Sequence, residues 1–572
     1  MKKTSFLLTC MMLTGSLSIT AESATESVRT NSDQVFVNGA VYTMNQDMPW
    51  AEAIAITDGV VVAVGTNSEI SEYIGDTTTV NDLQGRMLLP AFHDAHAHPI
   101  WSGIDQLKCP VFGLPSIEAI QNEVARCLNS TTTQSTGWVV GAGYNLGLFP
   151  AGNANKSLLD AVSLEVPIFL DGEDGHSGWA NSKALELAGI SADTPNPELG
   201  IIEKDPVTGE PTGTLREPAA ISLIKKIIPG DDLELFDDGL LFAQDLAHSF
   251  GITSIIAASV GEQHLAAYKR LADQGGLDLR MTTSIEYGNT GFTLGPGGFE
   301  EVFSKRQQYQ HPRINVDNIK IFIDGVLEGQ TAALLSPYLN TGSIGELNIQ
   351  QAELDEAVTR FDREGIQVHM HAIGDQGVRT GLNAFEAALV VNGPTDNRHH
   401  IAHLQLISEA DIPRFAELKV IANFQPVWGY PELYITEINL PEVGPERVNR
   451  MYPIASVHRA GGMVVGGSDW AVSTMNPLVA IETAIRREDP ENLVKGVLNE
   501  YERMNLTEML KAYTINSAYL MHQEHLTGSI EVGKAADLII LEKNLYTIPV
   551  DEISEVKVLQ TMIEGKTVYT AN

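Results

Sequence analysis

Cationic side chains are scarce in this chain. Its 572 residues carry 37 Lys and Arg against 73 Asp and Glu, a formal charge of −36. Phosphate backbones are held by basic surfaces, so nucleic acid is excluded as a partner and anionic membranes are disfavoured. The acid excess itself reads as a solvated surface. Cysteine is scarcer still: Cys10, Cys109 and Cys127 are the whole complement. Long apolar runs are missing too. Beyond the first residues no stretch approaches the ~20 apolar residues that a membrane-spanning helix needs. Internal repeats and low-complexity tracts are absent. What remains is 43% hydrophobic and 19% charged, the composition of a soluble globular protein. The length suits one large enzyme domain and a smaller one.

The N-terminus runs Met1-Lys2-Lys3, then a mostly apolar stretch from Phe6 to Ile19, then small residues around Ala21 to Ala24. This pattern predicts a cleaved signal over residues 1–23, a secreted or periplasmic location, and no membrane association after cleavage. Cys10 lies inside that leader. A lipoprotein anchor there is a poor reading, because Leu8-Thr9 precede it. Cys109 and Cys127 are then an even pair, which an oxidising compartment would join as a disulfide; the alternative is two buried thiols. Neither lies beside the motifs described next, so no catalytic role is expected of them.

Asp94-Ala-His-Ala-His98 follows the apolar run Met87 to Phe92. Side chains two apart in a strand point the same way, so His96 and His98 can face one ion, with Asp94 on the same side. Imidazole pairs of this kind suit zinc and similar divalent metals. Four later apolar runs each carry or end in one more polar group. Lys320 lies within Ile319-Lys-Ile-Phe-Ile323, His371 ends Val368-His-Met-His371, His403 ends Ile401-Ala-His403, and Asp469 follows Val464-Val-Gly-Gly-Ser468.

Strand-like and helix-like segments alternate through the middle of the chain, which predicts a parallel α/β core. Eight core strands can be placed. They end at His96/His98, cover Gly251–Ile256 and Leu279–Tyr287, carry Lys320, His371 and His403, cover Val420–Gln425, and lead to Asp469. Eight such units make a (β/α)₈ TIM barrel, whose active sites lie at the C-terminal strand ends. The gap between the first and second strands is too long for one crossover, so residues of about 100–235 hold an insertion over the active-site mouth, where substrate selectivity would reside. A helix is expected near Leu506–Tyr519, with Thr507 in its N-cap region. Residues 24–85 and 526–572 both read as short strands with Asn-Gly and Asp-Gly turns. The barrel with its insertion is assigned 86–525.

The chain resembles the amidohydrolase superfamily, specifically the YtcJ-like metal-dependent hydrolases of amidohydrolase family 3. The segments that carry the resemblance are Leu89–His98, Ile319–Gly325, His371–Asp375, His403–Ile407 and Gly467–Trp470, with weaker matches at Gly137–Tyr144, Asp174–Lys183 and Gly213–Glu217. The resemblance implies that the two terminal segments form one small β-sandwich. It implies two divalent ions, zinc the expected metal, held by His96, His98, Lys320, His371, His403 and Asp469. It also answers why a lysine should line a barrel: a CO₂-derived carbamate on Lys320 would bridge the ions. The alternative is an ion pair between Lys320 and Asp324. His371 competes with His369, and His403 with His399. The more C-terminal member of each pair is nearer the barrel mouth and matches the family motif, which leaves the others as packing residues.

Asp469 is the expected catalytic base. His176, Tyr144, Glu217, Asp324, Gln425 and Trp428 are candidates for substrate contact. The expected activity is hydrolysis of a C–N bond other than a peptide bond in a small molecule: an amide, formamide or carbamate, by metal-activated hydroxide. Lactone, ester or phosphoester hydrolysis would use the same centre. A binding protein on a retired barrel is a third reading, and a homo-oligomer is compatible with all of them.

Overall fold

The computed structural model describes residues 31–288 and 298–571. The predicted leader and Cys10 lie outside them. Among the described residues eight parallel strands form one barrel sheet. In order these are Phe92–Ala97, Ile252–Val260, Arg280–Tyr287, Ile314–Phe322, Gln367–Ala372, His400–His403, Ile421–Phe424 and Val464–Gly466. A parallel bridge between Ala97 and Trp470 joins the last strand's exit to the first strand. The strands are buried almost throughout, Ile252–Val260 at every position. That is why they read as continuous apolar runs and not as alternating ones: helices cover the outer face of a parallel barrel and side chains fill its interior.

Both chain ends build the second unit. One sheet holds Gln34–Val37, Ala53–Thr57, Val60–Gly65 and Thr79–Asp82; the other pairs Ala40–Tyr42 and Trp50–Ala51 with Leu538–Leu541, Val558–Ile563 and Lys566–Thr570. Phe36, Ile54, Leu538 and Met562 share its core. Met87–Pro90, assigned above to the barrel, belongs here instead: it pairs with Ala40–Val41 and antiparallel to Leu538–Leu541. The sandwich therefore extends to about residue 90, five beyond the boundary at residue 85. The run from Met87 to Phe92 is apolar on both sides of residue 90, so nothing in its pattern marks the change of sheet. Arg280 ties the units together, its guanidinium meeting Asp537 and Glu564 at 2.8 Å each.

The insertion has its own six-stranded sheet, spanning Cys109–Pro110 to Pro211–Arg216. Cys109 and Cys127 are joined by a disulfide across 18 residues of sequence. Cross-linking a loop of this size restricts the unfolded chain by about 3 kcal/mol. Cys109→Ser should therefore lower the unfolding midpoint of the insertion in a denaturant titration; an unchanged midpoint would show that the bridge adds nothing.

The C-terminal helix expected near Leu506–Tyr519 is two short ones, Leu506–Ala512 and Ile515–Leu520, separated at Thr514. Asn505, not Thr507, caps the first, accepting from the Glu508 amide. Thr507 is already inside the helix, where its hydroxyl meets Tyr546 instead. Among the described residues no helix is long and apolar enough to cross a membrane.

Candidate metal centre

The first strand delivers His96 and His98 at its C-terminal end, and the last strand delivers Asp469 onto them. The Asp469 amide donates to the His96 carbonyl at 2.7 Å, and the His98 amide donates to the Trp470 carbonyl at 3.0 Å. This close passage requires glycine at 467, where a Cβ would sit 2.8 Å from the His96 amide nitrogen. Asp94 acts as a clamp beneath. Its carboxylate accepts from the Ser468 amide and hydroxyl and from the His96 amide. It thus fixes the segment that carries Asp469 and does not itself join the ligand cluster. Burial pushes its carboxyl up to about 7, partly offset by Ser468.

His96 Nε2, His98 Nε2 and Asp469 Oδ1 lie within 4.8 Å of one another. Oδ1 is 3.2 Å from the first nitrogen and 3.0 Å from the second. Yet it makes no hydrogen bond of acceptable geometry. Three atoms that crowd together without aligning as donor and acceptor are arranged as ligands aimed at a common point. Burial, reinforced by the nearby Lys320 charge, pulls His96 down to about 3. Burial likewise holds His371 and His403 well below the usual imidazole range. Neutral rings keep the lone pair that a metal needs. Burial alone would raise Asp469, but His96, His98 and His403 around it hold it well below the usual carboxylate range.

Lys320 enters from the fourth strand. Its Nζ lies 3.4 Å from His96 Nε2, and the residue is 1% exposed. Burial pulls it down to about 7, against the opposing fields of Asp469 and Glu286. The anticipated alternative, an ion pair with Asp324, does not form. Asp324 accepts from the amides of Ala333, Ile373 and Gly374 at 2.9–3.0 Å and is spent on shaping the loops after strands four and five.

His371 and His403 stand beside this cluster, their ring centroids 4.5 Å apart. His371 donates from Nε2 to the Gly325 carbonyl, and Gln425 Oε1 meets His403 Nδ1 at 3.0 Å. Each ring is thus oriented through one nitrogen. His403 (φ 79°) and Asp469 (φ 53°) adopt left-handed backbone, a strain that clusters where geometry serves function.

The competing histidines have separate fates. His369 stays inside the barrel, its Nε2 2.9 Å from His96 Nδ1 and its Nδ1 3.1 Å from the Ser284 hydroxyl. A metal taken at His96 Nε2 would need the proton on Nδ1, so that His369 Nε2 accepts from His96 and His369 Nδ1 donates to the Ser284 hydroxyl. His399, expected to pack within the barrel, lies outside it, stacked on Phe385 and paired with Asp362. The buried neighbour of His369 is instead His400, 4.1 Å away centroid to centroid. Partners that orient a ligating histidine are worth about 10–100-fold in metal affinity. His369→Gln should cost that much in a zinc titration of the apoprotein; unchanged affinity would retire the relay.

A cavity of about 1420 Å³ opens over these residues. His176 and Trp428 line it, Trp428 stacked on the His403 ring at 5.6 Å and 12°. Tyr144, Glu217, Asp324 and Gln425 do not line it. Tyr144 is fully buried against Phe149 and Trp179 within the insertion. Gln425 acts through His403, and Glu217 through His176, whose Nδ1 it holds at 2.8 Å. Burial pulls His176 down, but the Glu217 and Asp174 carboxylates more than offset it, so the imidazole titrates above its usual value.

Sequence reading missed Ser284, Glu286 and the acidic wall of the cavity. Glu286 sits in register with Lys320 on the neighbouring strand. A glutamate inside an otherwise buried strand was the available signal. Glu173, Glu328 and Glu432 lie on loops with no pattern to mark them. Burial raises all three carboxyls, Glu173 to about 8; Asp174 adds to it at Glu173 and Glu328, and Glu173 and Glu328 add to it at Glu432.

Comparison with known proteins places these features in context. The profile of the amidohydrolase family matches residues 79–569. The putative amidohydrolase YtcJ of Bacillus subtilis is 27% identical, covering 94% of this chain and 99% of its own. The N-substituted formamide deformylase of Arthrobacter pascens is also 27% identical, over 93% of this chain and 97% of its own. Among solved structures, an uncharacterised metal-dependent hydrolase from Pyrococcus furiosus superposes with a TM-score of 0.67 at 25% identity, covering 89% of this chain and 99% of that one.

Proposed function

Because the chain belongs to the amidohydrolase family and is a metal-dependent hydrolase, we propose that it cleaves a C–N bond of a small molecule, of amide, formamide or carbamate type and not a peptide bond. One observation carries the reading: His96, His98 and Asp469 converge, with Lys320, His371 and His403 around them, at the floor of a cavity. His96, His98 and Asp469 would hold one divalent ion, His371 and His403 a second, with zinc the expected metal.

Lys320 would serve both ions as a carbamate. An ammonium has no lone pair to offer a metal, and among the described residues no carboxylate closes an ion pair with this one. A lysine titrating near 7 is largely an amine in mildly alkaline solution. The amine nitrogen adds to the carbon of CO₂ and loses one proton, leaving an anionic carbamate with two ligand oxygens.

Bound ions of this kind supply an activated water and a Lewis acid for a carbonyl oxygen. The chain's own work is positioning and proton transfer. Asp469 takes a proton from the attacking water at a carboxylate oxygen and returns it to the leaving nitrogen. The disulfide supports a location outside the reducing cytoplasm, the one expected from the N-terminal sequence.

The test is turnover by zinc-reconstituted protein on N-benzylformamide, an N-acyl amino acid, a carbamate, a lactone and a phosphotriester. The C–N substrates should lead, chelation should abolish the rate, and zinc should restore it. Fastest turnover on the lactone would move the reading to C–O bonds. No metal-dependent turnover on any of them would overturn it.

A further inference from the structure

On the side of the cavity where the insertion meets the barrel, one carboxylate lacks a cation. The helix Pro99–Leu107 brings Asp105 and its C-cap residue Lys108 to the cavity wall. The insertion brings Asp171 and Lys225, and Asp231 follows in the loop before the helix Leu233–Ser249. Three carboxylates thus meet two lysines. Lys225 is taken by Asp171 at 2.9 Å, and Lys108 by Asp231 at 2.7 Å. Asp105 is left over. It is 8% exposed, and among the described residues its carboxylate has no hydrogen bond or ion pair. Burial and the Asp171 charge push its carboxyl up to about 8, against the fields of Lys225 and Lys108.

A second acid nearby has an idle oxygen: Glu173 Oε2 is buried without a hydrogen-bond partner. Asp105, Asp171 and Glu173 line a recess of about 10 Å³ beside the cavity, with the Trp101 and Phe112 rings as its walls. That volume holds one water-sized group. Both rings are held in place. Phe112 packs on Gly143 (φ 98°), where a Cβ would lie 2.3 Å from the ring. Trp101 meets the His98 ring edge-on, centroids 5.1 Å apart. One indole therefore separates the recess from the metal centre. The three carboxylates are not a metal cage, because their oxygens do not gather within 4.8 Å of one another. An organic ammonium suits them better. Its head is water-sized, it donates three hydrogen bonds, and aromatic faces attract it.

We propose that this recess is a subsite for a primary ammonium carried by the substrate, with Asp105 and Glu173 as its acceptors and the Trp101 and Phe112 rings as its walls. The substrate class then narrows to amides, formamides or carbamates with an amine tail. The reacting carbonyl sits over the metal centre while the tail passes Trp101. The bound ammonium supplies the missing cation and offsets the cost of a buried, unpaired carboxylate. An uncharged tail of the same shape leaves both acceptors idle. This rests on reading the centre as a hydrolase of C–N bonds.

The experiment measures kcat/KM on the mono-formyl derivatives of diaminobutane and diaminohexane, and on their uncharged isosteres N-pentylformamide and N-heptylformamide. It uses the zinc-loaded full-length protein at about pH 9, where the amine tail keeps its charge. Wild type should favour the charged member of at least one pair by about 30-fold or more. The isosteric Asp105→Asn should cut that ratio about tenfold or more, with zinc per chain unchanged. The ratio compares two substrates in one protein, so general damage to the fold or the metal centre lowers both rates and leaves it alone. A wild-type preference below threefold for both pairs, or a ratio that Asp105→Asn leaves within threefold of wild type, overturns the proposal. If Asp105→Asn fails to fold, the same criterion passes to Glu173→Gln. If none of the four turns over, the calorimetric affinity of hexylammonium decides instead, whatever the substrate panel above shows, so the two readings can fail separately. Affinity about tenfold weaker in Asp105→Asn supports the subsite; equal affinity, or none in the wild type, overturns it.

Discussion

Lys320→Ala is expected to drop the metal content from about two ions per chain to one or fewer, and to lower kcat/KM at least 1000-fold, on the order of 4 kcal/mol of transition-state stabilisation. The reason is donor count. His371 and His403 alone offer two imidazoles, each already engaged through one nitrogen, and a structural or catalytic zinc site takes at least three protein ligands. A bridging carbamate would supply the third to this ion and a fourth to the ion held by His96, His98 and Asp469. Metal analysis of dialysed protein checks this directly. About one ion in both proteins would leave a mononuclear hydrolase and retire the bridge. No ion in the wild type would revive a binding role for the barrel.

The same residue makes a second, opposite prediction for the apoprotein. An unfolded lysine titrates near 10.4, whereas in the fold burial holds Lys320 to about 7. The folded state thus binds fewer protons than the unfolded one between these values. The penalty for the buried ammonium is absent above the unfolded pKa, grows as pH falls, and is complete below about 7. Lys320→Met, similar in length and uncharged, should therefore melt higher than wild type in metal-free buffer at pH 6 and no higher at pH 11. A gain in stability bought by loss of function would mark Lys320 as kept for chemistry. An apoprotein destabilised by the methionine would argue that the lysine is a structural member of the barrel.

Much of this centre was legible because a parallel barrel places its working residues at strand ends, and strand ends can be found from apolar runs. Lys320, His371 and His403 stand out because each interrupts or closes such a run. What was hidden depends on contacts between distant segments. Asp324 looks poised for Lys320 along one strand, yet three amides from two other loops consume its carboxylate. Tyr144 ends a strand beside the cavity but is walled off by Phe149 and Trp179. His399 and His400 are adjacent, and strand alternation puts one outside and one inside; a choice based on distance from His403 could not tell which. Asp94 shares a face with His96 and His98, and only the return of Ser468 from the far end of the chain shows that it clamps instead of coordinating. The split of Met87–Phe92 between two sheets is invisible for a related reason: both sheets bury those residues fully.

Asp469→Asn carries the other large effect and separates the remaining roles. The amide is nearly isosteric, so the Asp94–Ser468 clamp and the Asp469 amide bond to the His96 carbonyl should survive and the variant should fold. Lost are the negative charge between His96 and His98 and the capacity to take and return a proton. Proton transfer by a positioned group contributes about 10²–10⁴-fold, so kcat should fall into that range or below it. Zinc per chain, read beside the rate, then divides the cause. Two ions with kcat lost would assign Asp469 to proton transfer first and ligation second. One ion, with the loss matched by the metal deficit and reversed at high zinc, would make it chiefly a ligand. A binding protein would keep its ligand affinity and have no turnover to lose. Turnover within a few-fold of wild type would refute the central role of Asp469 and direct the search for the base to Glu286, the other carboxylate whose field reaches Lys320 within the barrel.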